Sequence, residues 1–232
     1  MKYLLWDFDN TLGYREGMWS GTLHSVLESN GVSNIKFEDI RAFLNIGFTW
    51  HSPETPHNIF FKGKTWWEYM TEYFVEIYEK LGISKKDAIK FAALVQREYK
   101  NLSKWHIYDD VISTLEVAKN NNYQNVILSN HIPELDEIID NLGIKDYFSY
   151  IYTSGKTGYE KPNLQAYDYV IKDLKIEKTQ CLMIGDNYDA DIAGALRAGI
   201  KAILVRKPNE NNYRFYCKDI KGIIEIARNI LL

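Results

Sequence analysis

Five short apolar runs constrain this chain more than any other feature. They cover residues 3–6, 125–129, 150–153, 181–185 and 201–205, and most end in a polar residue. Runs of this length suit strands buried on both faces of a parallel sheet. Helical patterns separate the later runs. They span 111–120, where Val111, Leu115 and Ala118 share a face; 133–141, closed by Gly143; 164–174; and 190–198, closed by Gly199. Strands alternating with helices predict an α/β fold with a doubly wound, Rossmann-like parallel sheet.

Residues 14–100 break that alternation. No comparable apolar run occurs there, and the pattern is helical instead. Trp67, Met70, Phe74, Ile77, Tyr78 and Leu81 recur at helical spacing before Gly82, and Ser84-Lys85-Lys86-Asp87 reads as a capping box. The expected organisation is an α/β core of residues 1–13 and 101–232, with an all-helical insertion of two hairpins at 14–100. The aromatics Trp19, Trp50, Trp66, Trp67, Tyr69 and Tyr73 are expected mainly in the core of that insertion.

Composition narrows the function classes. The 232 residues carry a formal net charge of only −3, which gives no electrostatic footprint for a nucleic-acid polymer. No apolar run approaches the roughly 20 residues of a membrane span, and the first strand begins too close to Met1 for a signal peptide. Two cysteines, Cys181 and Cys217, make no disulfide framework. The chain reads as a cytoplasmic, soluble protein, a monomer or weak dimer. Gly155-Lys156-Thr157 mimics the end of a P-loop, but Tyr150 stands where the first glycine is required. The acidic run at 186–191 lacks the glycine and glutamate of an EF-hand, and no GxGxxG fingerprint occurs.

Ligands of open α/β sheets bind outside the carboxyl ends of the strands. The first run delivers Asp7 and Asp9 there, the second Ser129 and Asn130, and the fourth Gly185-Asp186 followed by Asp189 and Asp191. Lys161 stands just before the helix that follows the third run. A carboxylate at a buried strand end is costly unless it meets a cation or a substrate. Several carboxylates without a histidine favour a hard cation, Mg²⁺ rather than Zn²⁺.

Asp7-Phe8-Asp9-Asn10-Thr11, Leu128-Ser129-Asn130, Lys161-Pro162 and Gly185-Asp186 with Asp191 resemble the four motifs of the haloacid dehalogenase-like hydrolases, in the family's order. The insertion has the position and size of that family's α-helical, C1-type cap. The resemblance implies a phosphatase acting on a small phosphorylated metabolite, such as a sugar phosphate, phosphoglycolate or a nucleoside monophosphate. Asp7 would be the nucleophile and Asp9 the acid and base. Ser129 and Lys161 would hold the phosphoryl oxygens. Mg²⁺ would be held by Asp7, the carbonyl of Asp9 and Asp186, with Asp191 in support and Asp189 a lesser candidate. Phe8, Asn130, Tyr14, Arg15 and Trp19 are the expected substrate contacts, and Arg41, His51, Lys62 and Lys64 further candidates. A dehalogenase is disfavoured, because those relatives need no metal and lack an aspartate two residues after the nucleophile. A phosphomutase keeps both aspartates. A phosphonate hydrolase would need an imine-forming lysine such as Lys62 or Lys64. A non-catalytic phosphate- or partner-binding protein is the reading from another class.

Overall fold

The structure, a computed structural model, describes residues 1–61 and 64–231. The chain divides into two compact units, residues 1–14 with 106–232, and residues 15–105. The α/β unit opens with β1 (Lys2–Trp6), and the chain leaves it along β2 (Gly13–Arg15). The helical unit then carries α1 (Met18–Ser29), α2 (Phe37–Phe43), α3 (His57–Phe61), α4 (Trp66–Lys80) and α5 (Lys85–Tyr99).

The α4–α5 hairpin follows directly from the sequence. Thr65 accepts from the Glu68 amide while the Glu68 carboxylate accepts from the Thr65 amide, so each satisfies an orphan donor at the start of α4. Trp66, Met70, Tyr73, Phe74, Ile77 and Tyr78 form its buried face. Gly82 takes the left-handed conformation that ends the helix, with φ of 85°. Ser84 then caps α5 through the Asp87 amide. In the rest of the unit α1 packs on α2 and on α5, and the two helices after it are short. Only seven residues make α2 and five make α3. Gly47, Pro53 and Pro56 lie between them and interrupt helix propagation.

The chain returns along β3 (Trp105–Ile107), which pairs with β2. The remaining elements are α6 (Val111–Asn120), β4 (Tyr123–Ser129), α7 (Leu135–Asn141), β5 (Phe148–Thr153), α8 (Ser154–Thr157) and α9 (Leu164–Leu174). They are followed by β6 (Cys181–Gly185), α10 (Gly194–Arg197), β7 (Lys201–Val205), β8 (Tyr216–Cys217) and α11 (Ile223–Ile230). The main sheet has the order β5-β4-β1-β6-β7-β8, and all its pairings are parallel. The first strand therefore lies between β4 and β6, and its chain neighbours diverge to opposite sides. That reversal opens a crevice at the carboxyl ends of β1, β4 and β6. Among the described residues, no helix is long and apolar enough to cross a membrane.

Leu4, Leu5, Trp6, Val126, Ile127, Leu182, Met183 and Ile184 are buried, as expected for strands covered on both faces. One polar pair stands among them. The Trp6 indole N–H donates to Asn125 Oδ1 at 2.9 Å, and Asn125 Nδ2 donates to the Tyr147 carbonyl at 3.3 Å. This pair ties β1 to β4 and helps fix the register that brings Asp7 beside Ser129. Asn125→Leu would leave the indole N–H buried without a partner. The expected loss is about 1–3 kcal/mol, read from urea unfolding; an unchanged midpoint would show that the pair contributes nothing.

Candidate active site

The loop after β1 is wound tightly round one carbonyl. Phe8 O accepts the amides of Thr11, Leu12 and Gly13, and Asn10 turns the chain with φ of 60°, which asparagine tolerates better than most residues. Asp7 is thereby held at the strand end, its own amide donating to the Ile184 carbonyl of β6 at 2.9 Å. Its Oδ1 accepts from Ser129 Oγ and from Lys161 Nζ, both at 2.8 Å. Both donors go to Oδ1 and leave Oδ2 outside this pair of bonds.

Lys161 is the hub of the cluster. It is 2% exposed, and its ammonium also donates to Asp191 Oδ1 at 2.6 Å. Burial alone would favour the neutral amine, but Asp191 and then Asp7 outweigh it and raise the lysine's pKa. The Asn130 amide positions this lysine. Its Oδ1 accepts from the Lys161 amide at 2.7 Å and its Nδ2 donates to the Lys161 carbonyl at 2.8 Å. Both ends of that side chain are thus spent on the backbone, so Asn130 serves Lys161 where the sequence reading placed it against substrate.

The segment after β6 supplies the other carboxylates. Asn187 Oδ1 accepts the amides of Asp189 and Ala190, and a π-helical turn at Tyr188–Ala193 replaces the first part of the expected 190–198 helix. Tyr167 donates its hydroxyl to the Ala190 carbonyl within that turn. The wide turn folds Asp191 back onto the strand end, where its Oδ2 accepts from the Asn187 amide at 3.0 Å. Gly185 makes room for it: a Cβ there would lie 2.1 Å from Asp191 Oδ2. Asp189 instead lies exposed.

Oxygens of Asp7, Asp186 and Asp191 lie within 4.8 Å of one another, and all three residues are buried. Asp186 Oδ2 pairs with Lys207 Nζ at 2.7 Å, and Thr11 Oγ1 lies 3.5 Å from its Oδ1. Asp9 reaches the same region; its Oδ1 is buried and takes no hydrogen bond among the described residues. Desolvation, then the charge of Asp7, then that of Asp186 raise the Asp9 pKa well above the ordinary carboxylate value. Desolvation and Asp7 likewise raise Asp186, against Lys207 and Lys161. Desolvation, Asp7 and Asp186 raise Asp191, against Lys161. His131 Nε2 lies 3.7 Å from Asp9 Oδ1, and burial first of all lowers its pKa to about 4, so it is neutral. Acidic groups outnumber ammonium groups in this region, four to two: Asp7, Asp9, Asp186 and Asp191 against Lys161 and Lys207. That surplus and the oxygen-only donor set fit one hard divalent cation.

Other expected site residues are placed elsewhere. Phe8 is fully buried, edge-on to His131 at 5.7 Å, so its ring belongs to the core. Tyr14 lies against His106 and Tyr108, with ring centres 5.4 and 5.0 Å away. Within the helical unit, Arg15 is 2% exposed and pairs with Glu98 at 3.0 Å, so its charge is already met there. Trp19 is buried and stacks on Tyr99 at 3.8 Å, inside an aromatic core that includes Phe48, Trp66 and Phe74. These contacts correct the expectation that Phe8, Arg15 and Trp19 present their side chains to a substrate. Lys64 pairs with Glu72 at 2.5 Å, and Arg41 and His51 are exposed. Lys62 lies outside the described residues. The sequence reading missed Thr11, His131 and Lys207 as members of the site. The strand-end rule, carried one residue further along the second run and two along the fifth, would have reached the last two.

Residues 4–205 match the family model of the haloacid dehalogenase-like hydrolases, and the chain belongs to that family. It is 24% identical over 146 residues to haloacid dehalogenase-like hydrolase domain-containing protein 3 of Bos taurus, covering 62% of this chain and 56% of that protein. It is 32% identical over 127 residues to the glyceraldehyde 3-phosphate phosphatase of Methanothermobacter thermautotrophicus, covering 54% and 51%. The matches thus span about half the length of these curated relatives. Among solved structures, the 2-haloacid dehalogenase of Pseudomonas syringae pv. Tomato shares the fold, with a TM-score of 0.70 over 99% of both chains at 18% identity.

Two outcomes follow from this geometry. Gly185→Ala forces a methyl against the Asp191 carboxylate, and overpacking of this kind should cost about 1–3 kcal/mol in thermal or chemical unfolding. A stability equal to wild type would show that Asp191 can move aside. The raised carboxylates also give a pH signature in metal-free protein. Asp9 and Asp186 have folded-state pKa values above the ordinary 3.8. The folded state then binds more protons than the unfolded chain, so their contribution is present at low pH and is lost as pH rises above 3.8. Asp186→Asn removes one such group. Its metal-free stability should fall less steeply than wild type between roughly pH 4 and 7, and an equal or steeper fall would contradict the assignment.

Proposed function

We propose that this protein is a Mg²⁺-dependent phosphatase of small phosphorylated metabolites that works through an aspartyl-phosphate on Asp7. The observation that carries this reading is the double hold of Ser129 and Lys161 on Asp7 Oδ1. It fixes a carboxylate at a strand end, with its other oxygen outside those bonds. A phosphate monoester needs an in-line nucleophile, neutralisation of charge and a proton for the leaving oxygen. Asp7 attacks phosphorus and the bond to the leaving oxygen breaks. Asp9, whose raised pKa keeps a proton available, donates it to that oxygen. Asp9 then takes a proton from the water that attacks the aspartyl-phosphate, which releases phosphate and restores Asp7. Ser129 and Lys161 are placed to bind phosphoryl oxygens, and Asp191 orients Lys161. Asp7, Asp186 and the carbonyl of Asp9 would hold Mg²⁺. Its charge, when bound, lets an anionic nucleophile approach an anionic phosphate.

Sugar phosphates, phosphoglycolate and nucleoside monophosphates are the candidate substrates. The likeness to a glyceraldehyde 3-phosphate phosphatase supports a small phosphate ester. We assign the choice of leaving group to the helical unit, which is inserted directly after the strand that carries Asp7 and Asp9. The groups that handle phosphate itself all belong to the α/β unit.

The test is phosphate release from a panel of such esters and from an aryl phosphate. Activity should stop with EDTA and return with Mg²⁺. Asp7→Asn should abolish turnover with the fold intact. Asp9→Asn should lower kcat by roughly 10²–10⁴-fold, the usual scale for general acid–base catalysis. Near-normal turnover by Asp7→Asn, or full activity in chelated protein, would overturn the mechanism.

A further inference from the structure

The fifth apolar run is followed by Arg206-Lys207-Pro208, and none of the four motifs includes these residues. Arg206 adopts φ of 64°, a region that residues with side chains rarely occupy. Three contacts hold it there. Its Nε donates to the Thr11 carbonyl at 2.7 Å, its Nη2 pairs with Asp110 Oδ1 at 2.6 Å, and its guanidinium carbon stands 3.8 Å from the centre of the Tyr108 ring. The turn is thereby fixed at its base. The next residue, Lys207, sends its ammonium to Asp186 Oδ2 at 2.7 Å. Asp186 is buried, whereas the Lys207 side chain is 53% exposed. The cluster's other ammonium, that of Lys161, is spent on Asp7 and Asp191.

We propose that Lys207 is the built-in counter-ion of Asp186, that a divalent cation must displace it, and that it thereby sets the metal affinity of the site. The proposal rests on the reading of the acidic cluster as a Mg²⁺ site. An ammonium and a dication on the same carboxylate oxygen repel each other at contact distance, so the two occupy Asp186 Oδ2 in alternation, whereas Lys161 holds Oδ1 of Asp7 and leaves its Oδ2 outside that bond. Rigidity at the base and freedom at the tip suit this exchange. Arg206 cannot leave without breaking three contacts, while the lysine stem is long, flexible and already half in water. In metal-free protein the ammonium offsets part of the repulsion among the carboxylates. Once displaced it remains tethered to β7 by two residues and can return when the metal leaves.

The experiment titrates Mg²⁺ into chelator-stripped, full-length protein by calorimetry, with thermal unfolding measured in parallel. Lys207→Gln and Lys207→Met should each tighten Mg²⁺ binding by about three- to tenfold, since a competing ion pair of the strength usual near a surface is removed. Both should unfold at a lower temperature than wild type without metal and match it at saturating Mg²⁺. Lys221→Gln makes the same change in net charge at an exposed position and should shift the affinity by less than about twofold. Unchanged or weaker binding in both Lys207 variants would overturn the proposal, as would an equal tightening in Lys221→Gln. A wild type that binds Mg²⁺ and hydrolyses phosphate esters would then leave the functional reading standing. A wild type that neither binds Mg²⁺ nor hydrolyses any ester would sink both.

Discussion

The site depends on one buried ammonium. Lys161 bridges Asp7 and Asp191, and without it the two carboxylates would face each other with no cation between them. Breaking a buried ion pair by removing one partner typically costs about 3–5 kcal/mol, because the other charge is left uncompensated. Much of the surrounding structure serves this one group. Asn130 grips its backbone on both sides, and the π-helical turn after β6 swings Asp191 back towards it. Gly185 leaves the space that Asp191 needs. Asn130 and Gly185 therefore belong to the site as the supports of Lys161 and Asp191.

The α/β core was legible in the sequence because its central strands are covered on both faces and so are largely apolar. The edge strand β5 shows a shorter run, since Ser149 and Tyr150 are exposed. Helices α6 and α9 were equally legible, since their buried faces recur at helical spacing. The short elements β2, β3 and β8 span only two or three residues and carry no period that a sequence can display. The turn at Tyr188–Ala193 was hidden for a different reason. Its sequence is compatible with an ordinary helix, and its form depends on bonds from Asn187, Lys161 and Tyr167 that exist only in the folded protein.

Legibility of the site followed the same division. Asp7, Ser129 and Asp186 lie at strand ends, and strand ends could be counted; Lys161 and Asp191 follow their strands by several residues and were reached through the family resemblance. Arg15 and Trp19 were placed by their nearness in sequence to Asp7, a weaker guide than burial. Arg15 meets its charge in Glu98 and Trp19 its ring in Tyr99, both eighty or more residues along the chain. Such distant partners cannot be seen from local spacing. Lys207 was missed for the opposite reason. It stands at a strand end, but a lone lysine before a proline resembles a solvated turn until Asp186 is seen opposite it.

The fold alone does not choose the reaction. A fold shared over 99% of both chains at 18% identity says nothing of the groups that stand at the strand ends. What bears on the reaction is the charge at the strand ends. A second aspartate two residues after Asp7, desolvated and close to Asp7 and Asp186, keeps its proton more readily than an ordinary carboxylate. The whole cluster holds more acidic groups than ammonium groups. A site built only for stability would not keep such a surplus, because repulsion among buried carboxylates opposes folding. The surplus is intelligible as an attraction held in reserve for a cation, and Lys207 marks how far the chain itself can go in supplying one.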